Sequence, residues 1–148
     1  FGSRALNALR LEKNYGSWGR EYRPLYGPVE VKLDRFVAYD KLADFIGKKA
    51  ALAERDSGGS KRLISLAVDA IDADVIGDEP VSIDEAVVGW VTSGGFAHAS
   101  KTSVALAMVP KEFALRNDGW TVELLGQSLK ASLINEPLFD ANASRMRS

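Results

Sequence analysis

The residues best suited to ligand chemistry lie near the start of the 148-residue chain. Four aromatic side chains, Tyr15, Trp18, Tyr22 and Tyr26, interrupt a segment rich in glycine and proline. Because loops are normally polar, such a segment either covers apolar surface or lines a pocket for a flat ligand that stacks on aromatic faces. Both interpretations stay open at the level of sequence.

A carboxylate, Glu12, precedes this aromatic segment on what reads as one helix face. Ala5, Ala8 and Leu9 come before it at spacings of three and four, which is the periodicity of a single face. Glu12 can therefore reach solvent or pair with a nearby arginine such as Arg10. It can equally be a partly buried acceptor for a ligand N–H group or for a backbone amide.

The composition argues against several other kinds of chemistry. There is no cysteine, so disulfides and thiolate metal sites are excluded, and one histidine, His98, leaves little for a metal site or a histidine-based triad. No phosphate-binding loop, nucleophile elbow or dinucleotide fingerprint occurs, and the acidic residues are dispersed. The formal net charge of −1 favours no nucleic acid, and no apolar run is long enough to span a membrane. We expect no metal, nucleic-acid or membrane partner.

Two helices and one strand are predicted before residue 60. Ser3 is expected to cap a helix over residues 4–15, and Asp44 a second helix over residues 44–54. The sequence DSGGS then ends the second helix and forms a flexible joint. Apolar residues at 29, 31, 33, 36 and 37 predict a strand within residues 29–40.

From residue 60 onward the hydrophobic pattern has a period of two. Segments 61–70, 86–95, 103–110, 120–126 and 129–135 predict successive strands, with a further short strand at 79–82. Gly94, Gly95 and His98 are expected at the tip of a long hairpin, and Gly126 with Gln127 at a tight one. The predicted fold class is therefore an α+β fragment followed by an all-β antiparallel barrel or sandwich.

The two halves differ in their ability to form a core. One helix, an aromatic loop, a strand and a short helix cannot close a core over about 55 residues. We therefore divide the chain into residues 1–56 and 57–148. The apolar face of the first helix is expected to rest on the barrel or on a sheet in an upstream part of the same parent chain.

Four stretches together resemble the C-terminal part of the glycine cleavage T-protein (aminomethyltransferase) family: RALNALRLEKNYGSWG, LDRFV…DFIGKKAAL, GWVTSGGFAHASKTSVALAMVP and NEPLFD. They are most similar to the branch fused to flavin enzymes, the dimethylglycine and sarcosine dehydrogenases and oxidases. The resemblance implies that residues 1–56 are the C-terminal tail of the folate-binding domain. It also implies that residues 57–148 are the T-protein C-terminal barrel.

The resemblance further implies a role in one-carbon transfer. Members of this family bind tetrahydrofolate and form 5,10-methylene-tetrahydrofolate, and in the fused branch a domain that holds FAD first oxidises an N-methyl group. The flavin domain and the catalytic aspartate are expected upstream, so this chain should contain no catalytic residue, bind no FAD and be inactive alone. The expected location is cytoplasmic, or the mitochondrial matrix in a eukaryote.

Two other functions are alternatives to one-carbon transfer. The first is a folate-binding or scaffold module without transferase activity, since T-protein relatives also use folate in tRNA or cluster chemistry. The second is an unrelated barrel that binds nucleic acid through its strands. The near-neutral charge and the lack of aromatic residues alternating with basic ones on the strands argue against the second.

The family's helix pattern, R-D-x-x-R-x-E-x-x-Y, implies which residues meet the folate. Arg10, Glu12 and Tyr15 match the last three marked positions. Asn7 stands where the pattern has aspartate. Leu6 aligns with the arginine that contacts folate in the family, which is a departure from the pattern.

Three further contacts are implied by the same resemblance. Arg4 supplies the missing arginine if the alignment shifts, Trp18 offers a face for the pterin, and Arg145 replaces an aromatic residue near the chain end as an anion contact. The folate-binding residues expected are Arg4, Asn7, Glu12, Tyr15, Trp18 and Arg145.

Overall fold

Two helices precede six strands in the computed structural model, which describes residues 1–147. All neighbouring strands are antiparallel, and the order β1-β4-β3-β2-β5-β6 closes into a barrel through pairing of β6 with β1. The predicted fold class is confirmed. The elements are α1 (Ser3–Glu12), α2 (Lys48–Ser57), β1 (Lys61–Val68), β2 (Pro80–Ile83), β3 (Ala86–Ala97), β4 (Thr102–Pro110), β5 (Trp120–Leu124) and β6 (Gln127–Leu133).

The barrel interior is a single apolar core. Strand β5 alternates between buried and more exposed positions, as expected for a strand with one face in the core. Strand β4 is instead buried continuously from Ser103 to Val109, because its outer face is also covered. The buried interior residues are Ile64, Leu66, Val68, Val75, Val81, Ile83, Val91, Ala105, Ala107, Val109, Trp120, Val122 and Leu124.

The N-terminal region provides the cover on the outer face of β1, β3 and β4. Leu11 of α1 and Val31 of the following loop are buried in this second cluster. Their barrel partners are Leu63, Ala97, Val104, Leu106 and Met108. Helix α1 therefore rests on the barrel through Leu11, whereas Leu6 and Leu9 of the same helix are exposed.

Helix α1 begins one residue earlier and ends three residues earlier than predicted. Gly2 occupies the cap position without a side-chain hydrogen bond, and Ser3 lies inside the helix, so the prediction of a Ser3 cap is wrong. Asn14 has a φ of 56°, in the left-handed region that a right-handed helix cannot pass through. The buried face also differs, because Leu9 is 56% exposed whereas Leu11 is 2% exposed.

The strand predicted within residues 29–40 is wrong. Turns and a 3-10 helix at Asp34–Phe36 occupy this region. The carbonyl oxygen of Pro28 accepts hydrogen bonds from the N–H groups of Leu33 and Asp34, and Lys32 has a φ of 61°, which is incompatible with an extended strand. Val31 is nevertheless buried, so the apolar alternation marks packing on the barrel and not strand pairing.

Helix α2 begins four residues later and ends three residues later than predicted. Gly47, with a φ of 88°, directly precedes it. The carboxylate of Asp44 accepts a hydrogen bond from the N–H of Phe45, so Asp44 does not cap α2. Gly58, with a φ of 77°, ends the helix within DSGGS, as predicted.

The β3–β4 hairpin turns at residues 98–101, later than predicted. His98 begins the turn, but Gly94 and Gly95 lie inside β3, so placing these glycines at the tip is wrong. A Cβ on Gly94 would lie 2.4 Å from the carbonyl oxygen of Val75, and one on Gly95 would lie 3.1 Å from Nδ2 of Asn7. The two glycines therefore allow neighbouring backbone and α1 to approach β3 closely.

Candidate functional site

Two concave surfaces lie beside α1. The first, which we call the α1 groove, has a volume of about 540 Å³ and is open to solvent. It is lined by Ser3, Arg4, Asn7, Ala8, Asp74, Gly95, Phe96 and His98. The second, which we call the tyrosine pocket, has a volume of about 210 Å³. It is lined by Lys13, Asn14, Tyr15, Tyr22, Val31, Lys32, Leu33, Arg35, Leu63, Asn135, Pro137 and Ala141.

Asn7 joins α1 to strand β3 at the α1 groove. Its Nδ2 donates to the carbonyl oxygen of Gly94 at 3.0 Å, and its Oδ1 accepts from Nη2 of Arg10 at 2.5 Å. Arg4 lies one turn earlier on α1 and is exposed at the groove. Leu6, which aligns with the arginine of the family pattern, does not line the groove. The arginine available at this surface is therefore Arg4.

Glu12 is a buried acceptor for the β3–β4 turn. The residue is 3% exposed. Its Oε1 accepts hydrogen bonds from the N–H of Ala99 at 2.7 Å, the N–H of Ser100 at 3.0 Å and the hydroxyl of Ser100 at 3.4 Å. Of the alternatives open from the sequence, the acceptor for backbone amides is the one observed. By fixing this turn, Glu12 also fixes the start of the turn at His98, which lines the α1 groove.

A second buried carboxylate, Glu21, escaped the sequence analysis. It accepts hydrogen bonds from the hydroxyl of Ser93 at 2.6 Å and from the N–H of Ser17 at 2.7 Å, and it pairs with Arg10 at 3.5 Å. Arg10 is thus paired with Glu21 and not with Glu12. Burial lowers the pKa of Arg10, while the charge of Glu21 opposes that change. Glu21 lies in a loop, where no periodic pattern marks a residue as buried.

Tyr15 and Trp18 both expose aromatic surface but lie in different settings. Tyr15 is 49% exposed and lines the tyrosine pocket. Trp18 is 82% exposed and meets the ring of Tyr22 edge to face, with 5.9 Å between the ring centroids. The hydroxyl of Tyr22 accepts a hydrogen bond from the N–H of Gly16 at 2.9 Å, so the aromatic loop folds around this tyrosine. Positive side chains also line the tyrosine pocket: Lys13, Lys32 and Arg35.

Arg145 lies in the C-terminal segment that packs beside the end of α1. Its guanidinium carbon is 5.0 Å from the ring centroid of Phe139. The N–H and hydroxyl of Ser144 donate to Asp140, each at 2.8 Å, and the bond from the hydroxyl is the main cause that lowers the pKa of Asp140. Lys13 lies 3.7 Å from the same carboxyl group. Phe139 is thus an aromatic residue near the chain end that the sequence analysis did not single out.

The α1 groove also contains an imidazole and a carboxylate, those of His98 and Asp74. His98 meets the ring of Phe96 edge to face, with 5.2 Å between the ring centroids. Asp74 accepts a hydrogen bond from the hydroxyl of Ser103 at 3.2 Å. Phe96 and Asp74 were not predicted as site residues, because the chain brings them beside α1 only when the barrel closes.

The six predicted residues are not gathered in one pocket. Arg4 and Asn7 line the α1 groove, and Tyr15 lines the tyrosine pocket. Glu12 is engaged by a turn, Trp18 projects from the loop, and Arg145 lies in the C-terminal segment. A ligand that contacts all six would have to extend over the surface around α1.

Neither helix in residues 1–147 is long and apolar enough to cross a membrane. In the same residues, no group of three or more His, Cys, Asp or Glu side chains is placed to hold a metal ion.

Comparisons with known proteins place these features in a family. The chain is 40% identical over 147 residues to mitochondrial dimethylglycine dehydrogenase of Mus musculus, which covers 99% of this chain and 17% of that protein. It is 30% identical over 134 residues to an aminomethyltransferase of Desulfitobacterium hafniense, which covers 90% of this chain and 36% of that protein. The chain therefore spans well under half the length of either relative.

A solved structure and a family model agree with this placement. The crystal structure of glycine cleavage system aminomethyltransferase T from Bartonella henselae superposes with a TM-score of 0.82 at 26% identity, covering 93% of this chain and 38% of that one. The family model described as the glycine cleavage T-protein C-terminal barrel domain matches residues 61–140. That match covers more than half of the sequence, including all six strands of the barrel, and the chain belongs to the glycine cleavage T-protein C-terminal barrel domain family.

Proposed function

We propose that this chain is the C-terminal part of a tetrahydrofolate-dependent aminomethyltransferase-like protein within a dimethylglycine or sarcosine dehydrogenase or oxidase. Its role is to help bind tetrahydrofolate for one-carbon transfer that yields 5,10-methylene-tetrahydrofolate. The observation that carries this proposal is the extent of the similarity. The match to dimethylglycine dehydrogenase extends over 99% of the chain, so it includes α1 and the aromatic loop as well as the barrel, and the match to the aminomethyltransferase extends over 90%.

The exposed chemistry around α1 suits a reduced folate, which has a flat pterin ring and an anionic glutamate tail. Tyr15 and Trp18 present aromatic faces for the ring. Arg4 and Arg145 are exposed cations suited to a carboxylate. These residues would bind and orient the folate, whose N5 atom supplies the nitrogen that captures the one-carbon unit.

Glu12 and Asn7 complete the proposed set of folate-binding residues, and each has a different role. Within residues 1–147, the hydrogen bonds to the side chain of Glu12 all end on Oε1, which leaves Oε2 to accept from a pterin N–H group. Asn7 already bonds to Gly94 and Arg10, so its proposed contribution is to hold α1 against β3 beside the ligand.

The remaining parts of the reaction are assigned to the parent protein. FAD and the catalytic aspartate belong to its upstream part, which we propose as the partner of this chain. Leu6 and Leu9 support that assignment, because both are more than half exposed on α1. In a eukaryote the location would be the mitochondrial matrix, as the mitochondrial relatives suggest.

The test measures formation of 5,10-methylene-tetrahydrofolate by the full protein that carries this chain. We expect Arg4→Ala and Tyr15→Ala each to raise the KM for tetrahydrofolate about tenfold, because each removes a contact to the bound folate. Lys130→Ala, at an exposed position on β6, is the matched control and should leave the KM unchanged. The 148-residue chain alone should show no turnover.

Two outcomes would contradict the proposed function. Tetrahydrofolate binding without transfer by the wild-type full protein would favour a folate-binding or scaffold module. The absence of any tetrahydrofolate binding by that protein would overturn the folate role altogether.

A further inference from the structure

A separate cavity opens where strand β6 diverges from β1. Strand β4 pairs with β1 over Lys61–Val68, whereas β6 pairs with it over Leu66–Val68. An open space of about 360 Å³ therefore remains beside the first half of β1. We call this space the basic groove and define it by Lys32, Arg62, Lys111, Leu115, Leu133 and Ile134.

Three positive side chains and no acidic one line the basic groove. The cations are Lys32, Arg62 and Lys111. Within residues 1–147, none of the three forms an ion pair with a carboxylate. Positive charge gathered in a cleft without a counter-charge attracts anions.

Two of these cations are held in place by backbone carbonyl groups. Nη1 of Arg62 donates to the carbonyl oxygen of Val29 at 3.3 Å, and Nζ of Lys111 donates to that of Ser57 at 3.0 Å. Burial lowers the pKa of Lys32, and the nearby charge of Arg62 lowers it further. A bound anion would relieve this repulsion without having to reorganise the cations.

Apart from Asn135, the rest of the groove is apolar. Leu115 is 87% exposed, and Leu133 and Ile134 are partly buried. Small-ligand pockets commonly have volumes of about 300–1,000 Å³, and the basic groove falls within that range. Cations beside aliphatic side chains match a ligand that has one charged end and one apolar end.

We propose that the basic groove binds a small organic acid in its anionic form. The carboxylate meets Lys32, Arg62 and Lys111, and an apolar chain or ring lies against Leu115 and its aliphatic neighbours. The site is distinct from the proposed folate surface, because none of the six residues assigned to folate lines it. Three residues, however, line both the basic groove and the tyrosine pocket: Lys32, Leu63 and Asn135.

The experiment titrates the 148-residue chain with 2-naphthoate by isothermal calorimetry, with the neutral 2-naphthylmethanol as the matched ligand. We expect the neutral ligand to bind at least about fivefold more weakly, because it lacks the charge that the three cations recognise. Equal affinity for both ligands, or no measurable binding of 2-naphthoate, would overturn the proposal.

Variants locate the ligand. Lys111→Gln and Leu115→Ser should each weaken 2-naphthoate about fivefold, the first by removing a charge and the second by removing apolar contact. Both residues are exposed, so neither change disturbs the core. Lys130→Gln removes one exposed charge elsewhere and should leave the affinity unchanged.

One further variant separates this site from the folate surface. Tyr15→Ala should leave 2-naphthoate binding unchanged, since Tyr15 lines the tyrosine pocket and not the basic groove. Weakening by Tyr15→Ala, or by Lys130→Gln as much as by Lys111→Gln, would contradict the assignment. The folate role does not depend on any of these results.

Discussion

Replacing Glu21 tests how the aromatic loop is attached to the barrel. The side chain is fully buried, with Oε1 accepting from the hydroxyl of Ser93 at 2.6 Å and Oε2 from the N–H of Ser17 at 2.7 Å. Two substitutions separate its contributions. Glu21→Gln keeps the size and removes the charge, whereas Glu21→Ala removes both acceptor oxygens.

The two short hydrogen bonds set the size of the effect. A hydrogen bond to a charged group contributes about 1.5–3 kcal/mol and a neutral one about 0.5–1.5 kcal/mol, so Glu21→Gln should cost about 2 kcal/mol of unfolding free energy. Glu21→Ala leaves two donors unpaired and opens a cavity, so it should cost about 4 kcal/mol. That is a large share of the roughly 5–15 kcal/mol that stabilises a typical domain.

The ion pair with Arg10 should contribute less than these bonds. Its atoms are 3.5 Å apart, and Arg10 also donates to Oδ1 of Asn7 at 2.5 Å and to the carbonyl oxygen of Tyr15 at 3.1 Å. We therefore expect a coupling energy of about 1 kcal/mol between Arg10 and Glu21. The coupling between Ser93 and Glu21 should be larger, because that bond is short and buried.

Urea unfolding followed by circular dichroism measures these quantities. Double-mutant cycles pair Glu21→Gln with Arg10→Gln in one case and with Ser93→Ala in the other. If Glu21→Gln changes the unfolding free energy by less than about 0.5 kcal/mol, the buried charge is not what holds the loop. A larger coupling in the Arg10 cycle than in the Ser93 cycle would show that the ion pair dominates.

Three further predictions concern stability. Burial alone would raise the pKa of Glu30, but the hydrogen bonds that it accepts outweigh burial and lower the pKa. Stability should therefore fall as the pH drops below the ordinary value of 4.5, and less steeply in Glu30→Gln, as measured by urea midpoints across that range. Tyr39→Phe should raise the unfolding free energy by about 1 kcal/mol, because its buried hydroxyl has no hydrogen-bond partner in residues 1–147, and a loss in urea unfolding would contradict this. Gly94→Ala should cost more than about 2 kcal/mol in the same assay, since its Cβ would collide with the carbonyl oxygen of Val75, whereas Gly19→Ala meets no atom within 4 Å and should be neutral.

The strands could be predicted because their signal is local. A period of two follows directly from a strand with one face in a core, and a glycine marks the β5–β6 turn, where Leu125 and Gly126 have φ values of 50° and 78°. The errors occur where tertiary packing decides the backbone. Val31 belongs to an apolar alternation, yet it packs on the barrel from a turn.

The candidate site was only partly predictable for the same reason. The aromatic residues left two roles open, covering apolar surface or lining a pocket, and in the structure Tyr15 lines a pocket while Trp18 is exposed. Glu12, in contrast, takes its donors from Ala99 and Ser100, more than 80 residues away in the sequence. No periodicity within a helix or a loop encodes such a partner, so Glu21 gave no signal and the role of Glu12 stayed open.

Three buried carboxylates explain how a region with little regular structure is held on the barrel. Glu12 accepts from the β3–β4 turn, Glu21 from Ser93 in β3, and Glu30 from the backbone of Ser60 and Lys61 at the start of β1. Residues 1–60 form no strand of the barrel, and each carboxylate instead attaches them to it through a charged hydrogen bond. The surfaces beside α1 are therefore positioned by these polar attachments as well as by the apolar cluster around Leu11. A change in Glu21 or Glu30, neither of which is a proposed folate contact, should therefore move the candidate site relative to the barrel.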